Sequence, residues 1–408
     1  MGRTIIKNSV IITVVFLSMF ILAGCVGFLE IADETIRPHE VAPYEPQPTE
    51  LIVVSNYEEL VAAVIELVTQ HETEAQIQFH YHDDDDIQNE IDRARNQILN
   101  EHPLGAFALA DITFEVTRIV MHYDIDIEII FERTEEQINS IANISTQRHM
   151  MTHLLDVMRE YEEEAIIRTR LPVTVEEINQ LVREAYYQHP RYIVMLPFVA
   201  VDAFPQEGED RIFEIRFAYT AVNANILPEL NEELAYNVQR SAELVVGYTD
   251  SERLLSLVNI LIDSVTFDEV APVHSHGAQN FSATAFGALV HGMAVGEGFA
   301  MAFQAIADEL GLYSHIVLGY FEGRVHAWNI VLLYGDFYHV DVAMAVVNGI
   351  ETAIMKRDAD FEEMMYNWDR ENTVKCEGEL TLEDILAALT DDDLDDIVGN
   401  GDENGEEG

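Results

Sequence analysis

Histidines, aspartates and two cysteines are the residues of this 408-residue chain that could carry chemistry. His80 and His82 stand just before four consecutive aspartates at 83–86, a set that can be drawn as a metal site. Hard cations need six or more oxygens in fixed geometry, and no EF-hand-like spacing follows. The run also precedes a helix expected from Ile87, where it supplies an N-cap and negative charge at the positive helix end, so a solvated loop is the better reading. His274, His276 and His291 lie near one loop and could be joined by His326, but no zinc spacing such as His-Glu-x-x-His is present. Neither a metal nor a cofactor is expected.

The stretch that carries the functional argument begins near Thr249. A small-residue run leads through Val295-Gly296-Glu297-Gly298 into an apolar helix that ends near Leu310-Gly311. Downstream come a strand at 315–320, then Arg324-Val325-His326-Ala327-Trp328-Asn329, then Tyr338-His339-Val340-Asp341. These segments resemble the bacterial transglutaminase-like domains, which share a papain-like core. The usual pattern is a small-residue loop, a Val-Cys-Glu-Gly turn opening a helix, a His-Ala-Trp-Asn strand and a His-Val-Asp strand. The match spans 225–378, including Trp368-Asp369 and Cys376 in what resembles the C-terminal flank. Three ordered motifs are more specific than any one of them.

The resemblance implies a cysteine at a helix start, its thiolate favoured by the helix dipole and a nearby imidazolium, with an acid on the next strand orienting the imidazole. His326 matches the histidine, Asp341 the acid, and Gly296 the cysteine, so the triad is vestigial; Trp328 and Glu297 would line its cleft. Without a side chain at Gly296 no acyl-enzyme can form there. Losing the nucleophile from such a triad costs on the order of 10⁶ in turnover. Cys376 is well separated from the nucleophile turn, and Ser282 or Thr284 would have to lie within hydrogen-bond reach of His326 to substitute. A glycine in place of the thiol is expected to leave the groove open.

The elements before this stretch fall into two similar series. Helical spacing at 56–70, with Leu60, Val61, Val64, Leu67 and Val68 on one face, is followed by a strand-like run at 75–82, a helix at 87–100, and strands at 107–119 and 125–131. The order recurs as a helix at 149–162, a strand at 165–171, a helix at 175–188, and strands at 192–202 and 211–220. Asn100-Glu101-His102-Pro103 and Tyr187-Gln188-His189-Pro190 close the second helix of each series, 87 residues apart. The fold expected is α+β: a module at 51–143, a second at 144–224 that repeats it, and the transglutaminase-like domain at 225–378.

Residues 1–24 read as an export signal, with Arg3 and Lys7 ahead of an apolar stretch, ending in Leu22-Ala23-Gly24-Cys25. That ending resembles a bacterial lipobox, which makes Cys25 the lipidated first mature residue and places the protein on the extracytoplasmic face of the cell membrane. Residues 25–50, with Pro38, Pro43, Pro46 and Pro48, read as a tether, and 379–408 as an acidic disordered tail opening with a short helix capped by Thr381. With Cys25 lipidated, Cys376 has no disulfide partner and the fold rests on its core. The net charge of −52, or −54 once Arg3 and Lys7 leave with the signal, excludes a nucleic-acid partner, because no basic stripe exists to release counterions. The expectation is a cell-surface pseudoenzyme that binds a peptide or wall-derived ligand. An active hydrolase or acyltransferase using another nucleophile, and a structural spacer, stay open as alternatives.

Overall fold

The computed structural model describes residues 51–80, 87–220, 222–271, 273–277 and 279–389. The expected signal, the Cys25 lipidation site, the tether, the aspartates at 83–86 and most of the acidic tail lie outside them. From Ile52 the described residues form one compact unit of mixed helix and sheet.

The first series contains β1 (Ile52–Val54), α1 (Tyr57–Thr69), β2 (Glu74–Phe79), α2 (Ile87–Asn96), α3 (Pro103–Ala108), β3 (Leu109–Arg118) and β4 (Tyr123–Phe131). Asn56 starts α1 by accepting a hydrogen bond from the Glu59 amide, and the expected apolar face of that helix is buried. Its leucines and valines pack on Ile77, Phe79, Ile125 and Ile127 of the sheet. Phe107, expected to begin a strand, lies in α3. Pro103 at the first helical position presets that turn, and its missing N–H is one the helix would not use.

A short helix, α4 (Glu135–Asn139), leads to β5 (Ala142–Ile144), α5 (Gln147–Arg159), β6 (Glu164–Thr169), α6 (Val175–Gln188), β7 (Phe198–Phe204) and β8 (Arg211–Ala218). The two sheets have the same strand order, β1-β2-β4-β3 and β5-β6-β8-β7, with the first pair parallel and the others antiparallel. Bounds of β1, α1 and β2 recur in β5, α5 and β6 at an offset of 90 residues. So does a backbone detail, the left-handed turn after the helix at His71 (φ 58°) and Tyr161 (φ 54°). The offset falls to 88 where α2 and α6 begin, because the connection from β6 to α6 is shorter than that from β2 to α2, and to 87 at the His-Pro pairs. The strand expected at 192–202 begins only at Phe198. Ile193, Val194, Met195 and Leu196 are buried without a ladder, and the Val194 amide donates instead to the Tyr161 hydroxyl.

The remaining elements are α7 (Leu227–Leu244), α8 (Asp250–Ser264), β9 (Thr266–Phe267), α9 (Ala285–Leu289), β10 (Met293–Ala294), α10 (Gly296–Leu310), β11 (Ser314–Phe321), β12 (Arg324–Leu333), β13 (Asp336–Val340), α11 (Val342–Asn348), α12 (Ile350–Ala353), β14 (Ile354–Lys356), α13 (Asp358–Glu363), β15 (Tyr366–Trp368) and α14 (Leu382–Ala388). Five strands form an antiparallel sheet in the order β14-β13-β12-β11-β15, and α10 packs against it. Every residue of α10 from Gly296 to Ala307 is buried, which no one-sided helix could be. One side joins Trp328, Ile330 and Val340. Ala300, Met301 and Ala305 join Leu181, Tyr186 and Phe213 of the second series. Leu382 and Ile385 of α14, which Thr381 caps with Asp384, are buried in the C-terminal core, so packed structure continues past residue 378. Among the described residues no helix is long and apolar enough to cross a membrane.

Candidate functional site

The three residues expected at a triad converge where α10 begins beside β12. Gly296 is the first residue of α10, and the Val295 amide ahead of it donates to the Ser282 carbonyl at 2.8 Å. His326 projects from β12, whose pairing with β13 brings Asn329 opposite Val340 and places Asp341 just beyond the ladder. Asp341 caps α11, accepting from the Met344 amide at 3.0 Å through Oδ1. Its Oδ2 lies 2.5 Å from His326 Nε2 and accepts from the Tyr366 hydroxyl at 2.7 Å. Burial, reinforced by the Asp341 carboxylate, holds the Tyr366 phenol far above its ordinary pKa, so it acts only as a donor.

The other edge of the imidazole faces Gly296. A Cβ built on that glycine would lie 2.3 Å from His326 Nδ1 and 2.5 Å from Cε1. The ring therefore occupies the space a nucleophile's side chain needs. This corrects the expectation of an open groove: with glycine there, the imidazole itself fills the gap and is only 9% exposed.

Trp328 and Glu297, expected to line a cleft, are buried at 0% and 2% exposure. Trp328 packs edge-on against Phe361, Tyr366 and Trp368, an aromatic core beneath the sheet. Its Nε1 donates to His339 Nδ1 at 3.0 Å, so the proton of His339 sits on Nε2, which donates to Asp358 Oδ1 at 2.9 Å. The ligand atoms of His339, Asp358 and Cys376 lie within 4.8 Å of one another, close enough to suggest a cation site. The donor set does not fit one. A metal on Nε2 would leave both ring nitrogens without a proton, since Trp328 can only donate, whereas liganding histidines donate through their second nitrogen. Cys376 is fully buried, and desolvation followed by the Asp358 charge pushes its thiol well above the ordinary range. It is a packed thiol and no substitute nucleophile.

Glu297 is instead a junction. Its Oε1 accepts from the Tyr187 hydroxyl of α6 at 2.8 Å and from the Gly277 amide at 2.9 Å, tying the second module and the 273–277 loop to the start of α10. Its Oε2 faces His276 Nδ1 at 3.6 Å, and neither atom has a hydrogen-bond partner. Burial and the Glu297 charge raise the Tyr187 phenol far above its ordinary pKa.

The remaining candidates do not gather at the site. Ser282 donates to Asp268 at 2.6 Å, and Thr284 donates to the Phe281 carbonyl while capping α9, so both hydroxyls are committed elsewhere. His274 is exposed, and His291 packs edge-on to Phe281 and Phe286. His80 stacks on His122, which contacts Asp124 at 3.0 Å. Tyr366, Asp358 and Tyr187 were not singled out from the sequence. Tyr366, two residues before the quoted Trp368-Asp369 pair, was the nearest to being found.

No family model matches the chain, and no curated protein matches it. Among solved structures it is similar to a crystal structure of a TGase, at 11% identity over 62% of this chain and 68% of that one, with a TM-score of 0.25. It is also similar to a protein of Cytophaga hutchinsonii described as a candidate cysteine protease, at 12% identity over 44% and 70% of the two chains, with a TM-score of 0.23. At scores this low the likeness fixes neither family nor activity.

Proposed function

We propose that this chain is a surface lipoprotein, anchored through Cys25, whose transglutaminase-like domain has lost covalent chemistry and serves as a non-catalytic binder of a peptide or wall-derived ligand. The observation that carries the loss of chemistry is the 2.3 Å between a Cβ on Gly296 and His326 Nδ1. A vacant nucleophile position could be refilled by one substitution, but here the imidazole has settled into it. The two N-terminal modules are read as copies of one unit, supported by the 90-residue offset of their strands, helices and turns.

The test uses the full chain, wild type and His326→Ala, with peptide and wall-fragment mixtures followed by mass spectrometry and calorimetry. The proposal expects no acyl transfer or hydrolysis by either protein, and saturable binding that His326→Ala changes, since a ligand seated in this groove must displace the imidazole that fills it. Binding indifferent to His326→Ala would sink the assignment of the ligand to this site. A second reading, hydrolysis by water activated at His326, is favoured by the His326–Asp341 contact at 2.5 Å. Turnover by the wild type that disappears in His326→Ala would establish it and overturn the first.

A further inference from the structure

Ile119, Val120 and Met121 form the tip of the hairpin that joins β3 to β4, and Val120 and Met121 are 96% and 81% exposed. The Ile119 amide donates to the His122 carbonyl at 2.9 Å, which makes Val120-Met121 a two-residue turn. Turns this tight are ordinarily built from Asn, Asp and Gly. Neither the bend nor any packing therefore accounts for a valine and a methionine at the tip. The second module supplies a control. At the same place in its sheet, the β7–β8 connection reads Pro205-Gln206-Glu207-Gly208-Glu209-Asp210, polar and acidic. The fold thus closes this hairpin without apolar residues. In a chain with 74 aspartates and glutamates, residues 116–123 contain none, and Arg118 and His122 flank the tip.

The tip lies at the end of the sheet where β1 also finishes, since Val54 pairs with Phe79 and Phe79 with Tyr123 at the base of the hairpin. β1 is the first element after the 26 residues that run from Cys25 to Glu50. Fully extended, that length reaches no more than roughly 90 Å. We propose that Ile119, Val120 and Met121 insert into the bilayer to which Cys25 holds the chain, as a second, non-covalent contact. This rests on the lipid-anchor reading. A single attachment leaves the orientation of the folded unit open, and a second contact fixes which end of the first sheet meets the lipid. The apolar tip enters the boundary between headgroups and acyl chains, while the stems of Arg118 and His122 carry their polar ends to headgroup level. Such insertion needs no electrostatic attraction, which a chain of net charge −52 would not find at anionic lipid.

The experiment reconstitutes the full chain, purified from membranes, in phosphatidylcholine vesicles and follows methionine oxidation by water-soluble chloramine-T with peptide mass spectrometry. Met365, 61% exposed, is the internal reference. By exposure in the fold alone, Met121 should oxidise at least as fast as Met365. Inserted in lipid, it should oxidise about tenfold more slowly, because oxidation follows exposure. Val120→Asp, a residue suited to an exposed turn, should return Met121 to the rate of Met365. Equal rates in the wild type, or protection that survives Val120→Asp, overturn the proposal. Protection that fades as the chain is diluted over more lipid identifies a second copy covering the tip and overturns it as well. Intact mass separates this proposal from the anchor reading. A chain that lacks diacylglyceryl on Cys25 and stays off the vesicles overturns both, whereas a lipidated chain with unprotected Met121 overturns the tip contact alone.

Discussion

Gly296 and His326 compete for one volume: any side chain on the glycine must displace an imidazole that Asp341 holds at 2.5 Å from its other edge. Gly296→Ala should therefore destabilise the protein by about 1–3 kcal/mol, the usual penalty of forcing extra atoms into a packed site, even though alanine is the better helix former. Gly296→Cys should likewise fail to form an acyl-enzyme, because seating the thiol separates His326 from its orienting acid. Thermal melts of both variants and intact mass after exposure to an activated ester check this. An alanine variant as stable as the wild type would show that the ring moves aside freely.

Tyr366 is the second donor to Asp341 Oδ2, in a place where the carboxylate is 1% exposed. Tyr366→Phe keeps the aromatic packing and removes the hydroxyl. It should cost about 1–3 kcal/mol, since one acceptor site on a buried carboxylate loses its partner. Denaturant unfolding of the pair of proteins measures it, and a change below a few tenths of a kcal/mol would mean that water replaces the phenol.

Trp328 is a core residue. Trp328→Ala should destabilise by about 3–5 kcal/mol and leave the Nδ1 acceptor of His339 unmet, a collapse of the C-terminal core. Near-ultraviolet circular dichroism would report the lost aromatic packing. A variant that keeps native packing yet loses ligand binding would instead restore Trp328 to a binding role.

Burial raises Asp308 from the ordinary 3.8 to about 6, so the folded state holds a proton that the unfolded chain has released across that window. The contribution of Asp308 to stability should fall as pH rises from about 4 to about 6 and then stay level. Asp308→Asn should be no more stable than the wild type at pH 3.5 and more stable by about 1–2 kcal/mol at pH 7, a figure reduced for the partial exposure of the group. Melting across this range reads the sign directly, and a constant difference between the two proteins would count against the shift.

Cys376 should resist thiol reagents in the native state, since only the thiolate reacts and burial holds the thiol protonated. Labelling followed by mass spectrometry should track global unfolding. Fast modification of the native chain would overturn the packed-thiol reading.

Much of the fold was legible because its signals are local. The apolar face of α1 and the Thr381 cap of α14 follow from residue types and spacing alone. The strand at 192–202 was misplaced because a continuous apolar run says that Ile193 to Leu196 are buried, without saying that their amides join a ladder. At the site, order along the chain singled out Gly296, His326 and Asp341, which the fold brings together. It could not reveal that the imidazole would fill the glycine's vacancy, which is a matter of ångströms between a helix and a strand. Nor could it distinguish a buried tryptophan from a cleft-lining one.

The burial of α10 on all sides makes it common property of two cores, with Phe303 facing one and Met301 the other. A fragment starting at residue 225 would expose the Met301 face to water, so the C-terminal region should not persist by itself, and heat should melt it together with the second module. Substitution in this helix would be punished from two directions at once, whatever chemistry its first residue supports.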